Sequence, residues 1–141
     1  MDLDEIRETF GYFDSWEDKY RFVIDLGKEL PHLDEVHKVP ENLIRGCQSQ
    51  VWLVANYNAQ SHRVELAIDS DAHIVRGLIA IVLAAYDGQC ARDIQRFDIE
   101  GLFEELALLT HLSPTRGNGL LAMVARIRGL SEKLAGTTAV R

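Results

Sequence analysis

Cysteine is scarce in this sequence, and the scarcity excludes whole classes of protein. Cys47 and Cys90 are the only two cysteines in 141 residues, too few for a disulfide framework and typical of a compartment in which thiols stay reduced. A structural zinc site needs Cys or His ligands in closely spaced pairs, and the histidines show no such pairing. Iron–sulfur clusters are mostly held by four thiolates. We therefore expect no bound metal, cluster or other cofactor in this chain.

Long apolar runs and excess positive charge are also missing. No apolar run approaches the roughly 20 residues that span a bilayer, and the first residues, Met1 to Glu5, are acidic where a secretory signal is basic and then apolar. The formal net charge of -7 argues against nucleic acids and anionic membranes, because binding to both depends on Lys and Arg. We expect a cytoplasmic protein that binds neither.

The composition that remains is that of one globular domain. The chain is 47% hydrophobic and 26% charged and contains no Gly/Ser-rich or Pro-rich linker. We expect a single domain over residues 1–141, with residues 136–141 as a frayed tail.

The apolar periodicity predicts helices at both ends of the chain and strands in the centre. Residues 51–57 and 64–68 are typical of a β-hairpin, and residues 42–45 of a further short strand. Ser15 precedes an apolar stripe and predicts a capped helix that ends before Pro31. We therefore predict an α+β fold, in which helices pack on one face of a small antiparallel sheet of about three strands.

The second half of the chain is predicted to be helical. Asp69-Ser70-Asp71 is interpreted as the N-cap and acidic first turn of a helix over residues 72–86, which is apolar on nearly all sides and should lie in the core. Further helices are expected over residues 91–97 and 101–109. A Pro- and Gly-containing loop over residues 111–119 should precede the last helix.

The segment from Gly46 to Gln50 has the properties of a reactive loop. Gly46 allows a bend, and side-chain amides and a hydroxyl that could donate hydrogen bonds to an anionic sulfur follow Cys47. Residue chemistry alone leaves two alternatives open. Cys47 could be a small buried hydrophobe, as most free cysteines are, or the nucleophile of a hydrolase with a base such as His111.

Motifs along nearly the whole chain resemble those of the SufE family of sulfur-acceptor proteins. The matching segments are Trp16-Glu17-Asp18-Lys19-Tyr20, Leu26-Gly27, Leu30-Pro31, Gly46-Cys47-Gln48-Ser49-Gln50-Val51-Trp52, Asp69-Ser70-Asp71-Ala72, Ile74-Val75-Arg76-Gly77-Leu78 and Leu112-Ser113-Pro114-Thr115-Arg116. The run after Cys47 is more similar to SufE than to its relative CsdE.

The resemblance implies a fold like that of SufE and the scaffold IscU, and a function in sulfur transfer. A cysteine desulfurase of the SufS type, which holds the pyridoxal phosphate, would pass persulfide sulfur to Cys47 and be stimulated by this protein. Cys47 would deliver the sulfur to a cluster scaffold of the SufBCD type. A CsdA-type donor is the alternative, and a homodimer is left open. The reactive Cys47 makes the chain a carrier rather than a stand-alone enzyme.

The resemblance also assigns contacts around the thiol. Gly46, Gln48, Ser49 and Gln50 would shape the loop and contact partners, Arg116 would lie at the desulfurase interface, and Asp71 is associated with the resting loop. Arg116 as a solvated loop cation and Asp71 as a helix cap are the alternatives.

Two further alternatives concern the thiols. An IscU-like metal or Fe–S scaffold is the competing function, although a scaffold of that type needs three cysteines and this chain has one in the corresponding place. Cys90 is interpreted as a packed structural thiol, with a Cys47–Cys90 redox pair as the alternative.

Overall fold

The computed structural model describes residues 1–47 and 49–139. The order of elements is α1 (Leu3–Tyr12), α2 (Trp16–Lys28), 3-10 turns at Glu35–His37 and Pro40–Asn42, β1 (Val51–Asn58), β2 (Arg63–Ser70), α3 (His73–Tyr86), α4 (Ala91–Arg96), α5 (Ile99–Glu105), α6 (Leu108–His111) and α7 (Pro114–Ala139). The α+β class is therefore confirmed. Residues 140–141 of the predicted frayed tail lie outside the described residues, and α7 includes residues 136–139.

The sheet is a two-stranded antiparallel hairpin. Val51 pairs with Ser70 at one end and Asn58 with Arg63 at the other. The predicted strand over residues 42–45 forms only a single bridge, between Leu43 and Trp52. The prediction of about three strands is wrong in this detail, because the 3-10 turn and the bend at Gly46 leave no room for a longer ladder.

One face of the hairpin carries the core. Alternate residues of both strands are buried on this face, including Val51, Leu53, Val64, Leu66 and Ile68, as the period of two along a strand requires. Helix α3 packs against β2, and α7 packs against β1. Helix α3 has the all-round burial that its composition predicts.

Helices α2 and α3 approach each other closely enough to exclude a side chain at their crossing. A Cβ built on Gly77 would lie 1.9 Å from the carbonyl oxygen of Val23, and one built on Gly27 would lie 2.7 Å from the backbone nitrogen of Gly77. This close packing of α2 and α3 fixes the N-terminal end of α3, which borders the thiol loop.

The predicted Ser15 cap of α2 is confirmed, since its Oγ accepts a hydrogen bond from the Asp18 N–H at 3.2 Å.

Candidate functional site

Cys47 lies in a short loop that leads into β1. On the N-terminal side of the loop, the Ile44 N–H donates to the Val51 carbonyl at 2.8 Å. Gly46 has a φ of +91°, in the left-handed region where glycine is favoured over other residues. The bend predicted at Gly46 is present. The chain is therefore anchored at Ile44 and turns sharply just before the thiol.

A second anchor holds the C-terminal side of the loop. The Gln50 N–H donates to Asp71 Oδ1 at 3.1 Å, and the Asp71 N–H donates to the Gln50 carbonyl at 3.4 Å. These bonds continue the β1–β2 ladder one residue past the Val51–Ser70 pair. Asp71, which directly follows β2, thus fastens the thiol loop.

The predicted cap of α3 by Asp69-Ser70-Asp71 is wrong. Strand β2 continues to Ser70, and the N-cap position is Ala72, without a side-chain cap. Asp69 is instead buried on the strand, and the Asp71 carboxylate turns to the loop. Strand β2 extends further into this polar run than the sequence pattern predicts, because the carboxylates of Asp69 and Asp71 both have tertiary partners.

The Cys47 side chain points into the protein and is half-buried. Its Sγ is 3.5 Å from the carbonyl oxygen of Gly119 in α7, to which the thiol donates a hydrogen bond. Beside the sulfur lies a cavity of about 20 Å³, which is room for about one water-sized group. The cavity is lined by residues of the loop, β1, α3 and α7, namely Cys47, Ser49, Val51, Val75, Leu78, Arg116, Gly119, Leu120 and Met123.

The environment of Cys47 favours its protonated form. Burial raises the pKa of the Cys47 thiol above its ordinary value, because a thiolate loses hydration in an apolar site. The hydrogen bond to the Gly119 carbonyl has the same effect, since it needs the thiol proton. The sequence predicts side-chain hydrogen-bond donors around a Cys47 thiolate. The structure instead has Cys47 as the donor of its hydrogen bond, to a backbone carbonyl. Rehydration of the sulfur outside the pocket would favour the nucleophilic thiolate.

Arg116 lies in the first turn of α7 and not in a loop. Pro114 occupies the first helical position, where its missing N–H removes no helical hydrogen bond. The Ser113 Oγ accepts from the Arg116 N–H at 3.2 Å. The loop predicted over residues 111–119 is therefore wrong from Pro114 onwards. The helix brings Arg116 to the wall of the thiol cavity.

The remaining predicted loop residues have different surroundings. Ser49 lines the cavity beside Cys47, whereas Gly46 and Gln50 are exposed at the loop surface. Gln48 lies outside the described residues. The described part of the loop thus presents both a cavity wall and an outer surface that a partner could contact.

A buried ion pair that the sequence did not predict lies next to this loop. Asp69 and Arg76 are both buried and bonded to each other through Oδ1 and Nη1. Arg76 Nε also donates to the Gly27 carbonyl at 3.2 Å, and the Leu33 N–H donates to Asp69 Oδ2 at 3.0 Å. An arginine in the apolar run of α3 is the signal that could have revealed it, because a buried cation needs a partner.

The charge state of Asp69 follows from these contacts. Burial opposes its ionisation, but hydrogen bonds from the backbone N–H groups of Leu33 and Ser70 and the charges of Arg76 and Lys38 outweigh it and lower the pKa of Asp69. Asp69 is thus held as a carboxylate, and it ties the segment before the thiol loop to β2 and α3.

The geometry gives little support to the metal and hydrolase alternatives. Among residues 1–47 and 49–139, no three His, Cys, Asp or Glu side chains are grouped to hold a metal ion. His111 stacks on Trp16 with ring centroids 4.5 Å apart, and it is not one of the residues that line the thiol cavity. The proposed base is therefore engaged elsewhere.

Cys90 lies at the other end of the hairpin from Cys47. The Gln89 carbonyl accepts from the Val64 N–H, whereas the Cys47 loop adjoins the Val51–Ser70 pair. Six residues of strand separate these ends, about 20 Å at the usual rise, and a disulfide needs Cα atoms within about 7 Å. The fold therefore disfavours a Cys47–Cys90 redox pair.

No helix in the described part of the chain is long and apolar enough to cross a membrane.

A two-stranded hairpin packed against helices, with a loop thiol over a small cavity, defines a thiol protein of the α+β class. Residues 4–131 match the SufE family, described as an Fe-S metabolism associated domain. A SufE-like protein of Rhizobium meliloti (strain 1021) is 48% identical over 132 residues, with 92% of this chain and 94% of that protein covered. The chain belongs to the SufE family.

A second relative and a solved structure are also similar to this chain. A SufE-like protein of Rhizobium etli is 49% identical over 128 residues, covering 89% of this chain and 86% of the relative. The solution structure of a hypothetical protein from Thermus thermophilus has a TM-score of 0.74 at 17% identity, with 94% of each chain covered. That likeness supports the fold alone.

Proposed function

We propose that this protein is a sulfur acceptor whose Cys47 takes persulfide sulfur from a SufS-type cysteine desulfurase. As a thiolate, Cys47 attacks the outer sulfur of the desulfurase persulfide. A new bond forms between the Cys47 Sγ and that sulfur, the S–S bond of the donor breaks, and the donor cysteine leaves as a thiolate. The exchange involves no net oxidation and follows the rules of thiol–disulfide exchange.

The observation that carries this proposal is the cavity beside the Cys47 sulfur. It is bounded mainly by apolar side chains such as Val75, Leu78 and Met123, and it has room for about one water-sized group. A packed structural thiol has neighbours on all sides and leaves no such space. The cavity thus supports a cysteine that carries an additional atom, and family membership supports sulfur as that atom.

The anchors of the loop explain why a partner is needed. While Asp71 holds Gln50 and the thiol bonds to Gly119, Cys47 stays protonated and its reactivity is low. A desulfurase that draws the loop outwards would rehydrate the sulfur, lower the pKa of the thiol and expose the nucleophile. The same retracted position would protect a loaded persulfide from further oxidation.

This chemistry assigns different roles to the desulfurase, to this protein and to the scaffold. The desulfurase holds the pyridoxal phosphate and removes sulfur from L-cysteine, and this chain in the cytoplasm stimulates it by removing the sulfur from its persulfide. Cys47 then delivers the sulfur to an iron–sulfur scaffold of the SufBCD type. Arg116 at the cavity wall and the exposed loop residues Gly46 and Gln50 are the proposed contacts with the partners.

Stimulation of a desulfurase tests this proposal. With a SufS-type desulfurase, L-cysteine and a small reductant, we expect wild-type protein to raise the rate of alanine release. The Cys47→Ser variant should give no stimulation, and Cys90→Ser should stimulate like the wild type because Cys90 lies away from the site. Equal stimulation by the wild type and Cys47→Ser would contradict the role of this thiol.

A further inference from the structure

The backbone of Gly119 in α7 lies beside the Cys47 sulfur. Its carbonyl oxygen lies 3.5 Å from Sγ. A Cβ built on Gly119 would lie 3.4 Å from the Cys47 Cα and 3.5 Å from Sγ. These distances are ordinary van der Waals contacts. An alanine at this position would therefore pack against the thiol without displacing it.

A Cβ on Gly119 would lie at the wall of the thiol cavity. The cavity is about 20 Å³ in volume, and Gly119 is one of its lining residues. A methyl group added there would reduce a space that holds about one water-sized group. The bare thiol does not need this space, whereas a second sulfur bonded to Sγ does.

We propose that Gly119 is a positioning residue that reserves the space for one additional sulfur on Cys47. This inference rests on the proposed function and assigns a selectivity to the same site. The pocket accommodates Cys47 as a thiol or as a hydropersulfide. Longer sulfur chains and bulky mixed disulfides, such as that with glutathione, exceed the cavity and keep the loop outside.

Glycine at this position is otherwise unfavourable for the fold. Gly119 lies within α7, and glycine inside a helix is less favourable than alanine. Gly129 lies in the same helix, and a Cβ built there meets nothing within 4 Å. The Gly129→Ala variant therefore reproduces the helical effect of an alanine without the contact to Cys47, and it is the matched control.

The test loads Cys47 chemically, so that it does not depend on a desulfurase. In a Cys90→Ser background, an aryl disulfide reagent converts Cys47 to a mixed disulfide. Hydrosulfide then attacks the Cys47 sulfur, the bond to the aryl sulfur breaks, and an aryl thiolate leaves Cys47 as a hydropersulfide. Intact mass then follows the loss of the added sulfur to dithiothreitol in the Gly119→Ala, Gly129→Ala and parent proteins.

We expect the Gly119→Ala hydropersulfide to be lost about tenfold faster than that of the parent, a change equivalent to about 1.4 kcal/mol. Gly129→Ala should match the parent, and the thiol form of Gly119→Ala should melt no lower than the parent. Equal persulfide lifetimes in all three proteins, or a destabilised Gly119→Ala thiol form, would overturn the inference. Failure of a desulfurase to load the wild type would contradict the proposed function and leave this comparison intact.

Discussion

At the scale of single residues, the position of Cys47 depends on contacts from outside its own loop. Asp71, directly after β2, accepts a hydrogen bond from the Gln50 N–H, and the Gly119 carbonyl in α7 accepts one from the Cys47 thiol. Both contacts belong to the retracted loop, because neither can persist when the loop moves outwards. The free energy of these contacts therefore sets how often the thiol becomes accessible in the absence of a partner.

Replacing Asp71 should expose Cys47. An Asp71→Ala variant loses the acceptor for Gln50, and a net hydrogen bond of about 1 kcal/mol corresponds to about a fivefold change in a population. We expect iodoacetamide to modify Cys47 about fivefold faster in this variant, measured by intact mass in a Cys90→Ser background at fixed pH.

The Asp71→Asn variant separates the hydrogen bond from the charge. Asparagine keeps a carbonyl oxygen at the acceptor position, so the rate of modification should stay near that of the parent. If Asp71→Ala reacts no faster than the parent, Asp71 does not fasten the loop. If Asp71→Asn reacts as fast as Asp71→Ala, the charge of the carboxylate and not its hydrogen bond controls the thiol.

At the scale of elements, Asp69 and Arg76 join parts of the chain that are distant in sequence. Arg76 in α3 reaches the carbonyl groups of Gly27 in α2 and of Leu30 beyond it. Asp69 in β2 accepts a hydrogen bond from the Leu33 N–H. Lys38 lies 3.7 Å from the Asp69 carboxylate and packs over the Trp52 ring, 5.3 Å from its centroid. The segment before the thiol loop is thus tied to both strands.

Breaking this ion pair should destabilise the protein strongly. An Asp69→Asn variant leaves the buried Arg76 charge uncompensated, and we expect a loss of about 3–5 kcal/mol in the free energy of unfolding, measured with urea. Asp25→Asn is the matched control. It breaks the exposed Asp25–Lys28 pair, for which about 0–1 kcal/mol is expected. Equal losses in the two variants would contradict the structural role of Asp69.

The same pair predicts a pH dependence. The folded-state pKa of Asp69 is lowered, so its contribution to stability is present above the ordinary aspartate pKa and is lost as the pH falls through the lowered value. Stability of the wild type should decrease over this acidic range more steeply than that of Asp69→Asn. Parallel decreases in the two proteins would contradict a lowered pKa for Asp69.

Helices and strands were predictable from the sequence where interactions between residues close in the chain determine them. The cap at Ser15, the hairpin and the all-apolar α3 follow from hydrogen bonding and periodicity within a few residues. The start of α7 was missed because Pro114 and the nearby glycines are typical of loops, although proline suits a first helical turn. Asp69 was misread as part of a cap because its partner Arg76 lies on another element.

The candidate site was predictable in its central residue and not in its geometry. The motif around Cys47 singles out the thiol, and Asp71 lies next to the loop that carries it. The cavity and the role of Gly119 depend on α7, in which Gly119 lies 72 residues after Cys47. A sequence pattern spanning a few residues cannot reveal a contact between two residues that far apart in the chain.

At the scale of the whole molecule, the fold presents one thiol in a state that disfavours reaction. Its sulfur is half-buried in a site that favours the protonated thiol. The described residues form no metal site around it, and Cys90 is at the far end of the hairpin. The proposed function therefore requires a donor that opens the loop and an acceptor that takes the sulfur. In the proposed function, Cys47 acts as a sulfur carrier that depends on partners.

Intact mass after incubation with a SufS-type desulfurase and L-cysteine tests the central claim most directly. We predict that the wild type and Cys90→Ser gain the mass of one sulfur atom, that a reductant removes it, and that Cys47→Ser gains nothing. No gain in the wild type, or an equal gain in Cys47→Ser, would contradict the account of Cys47 as the sulfur carrier.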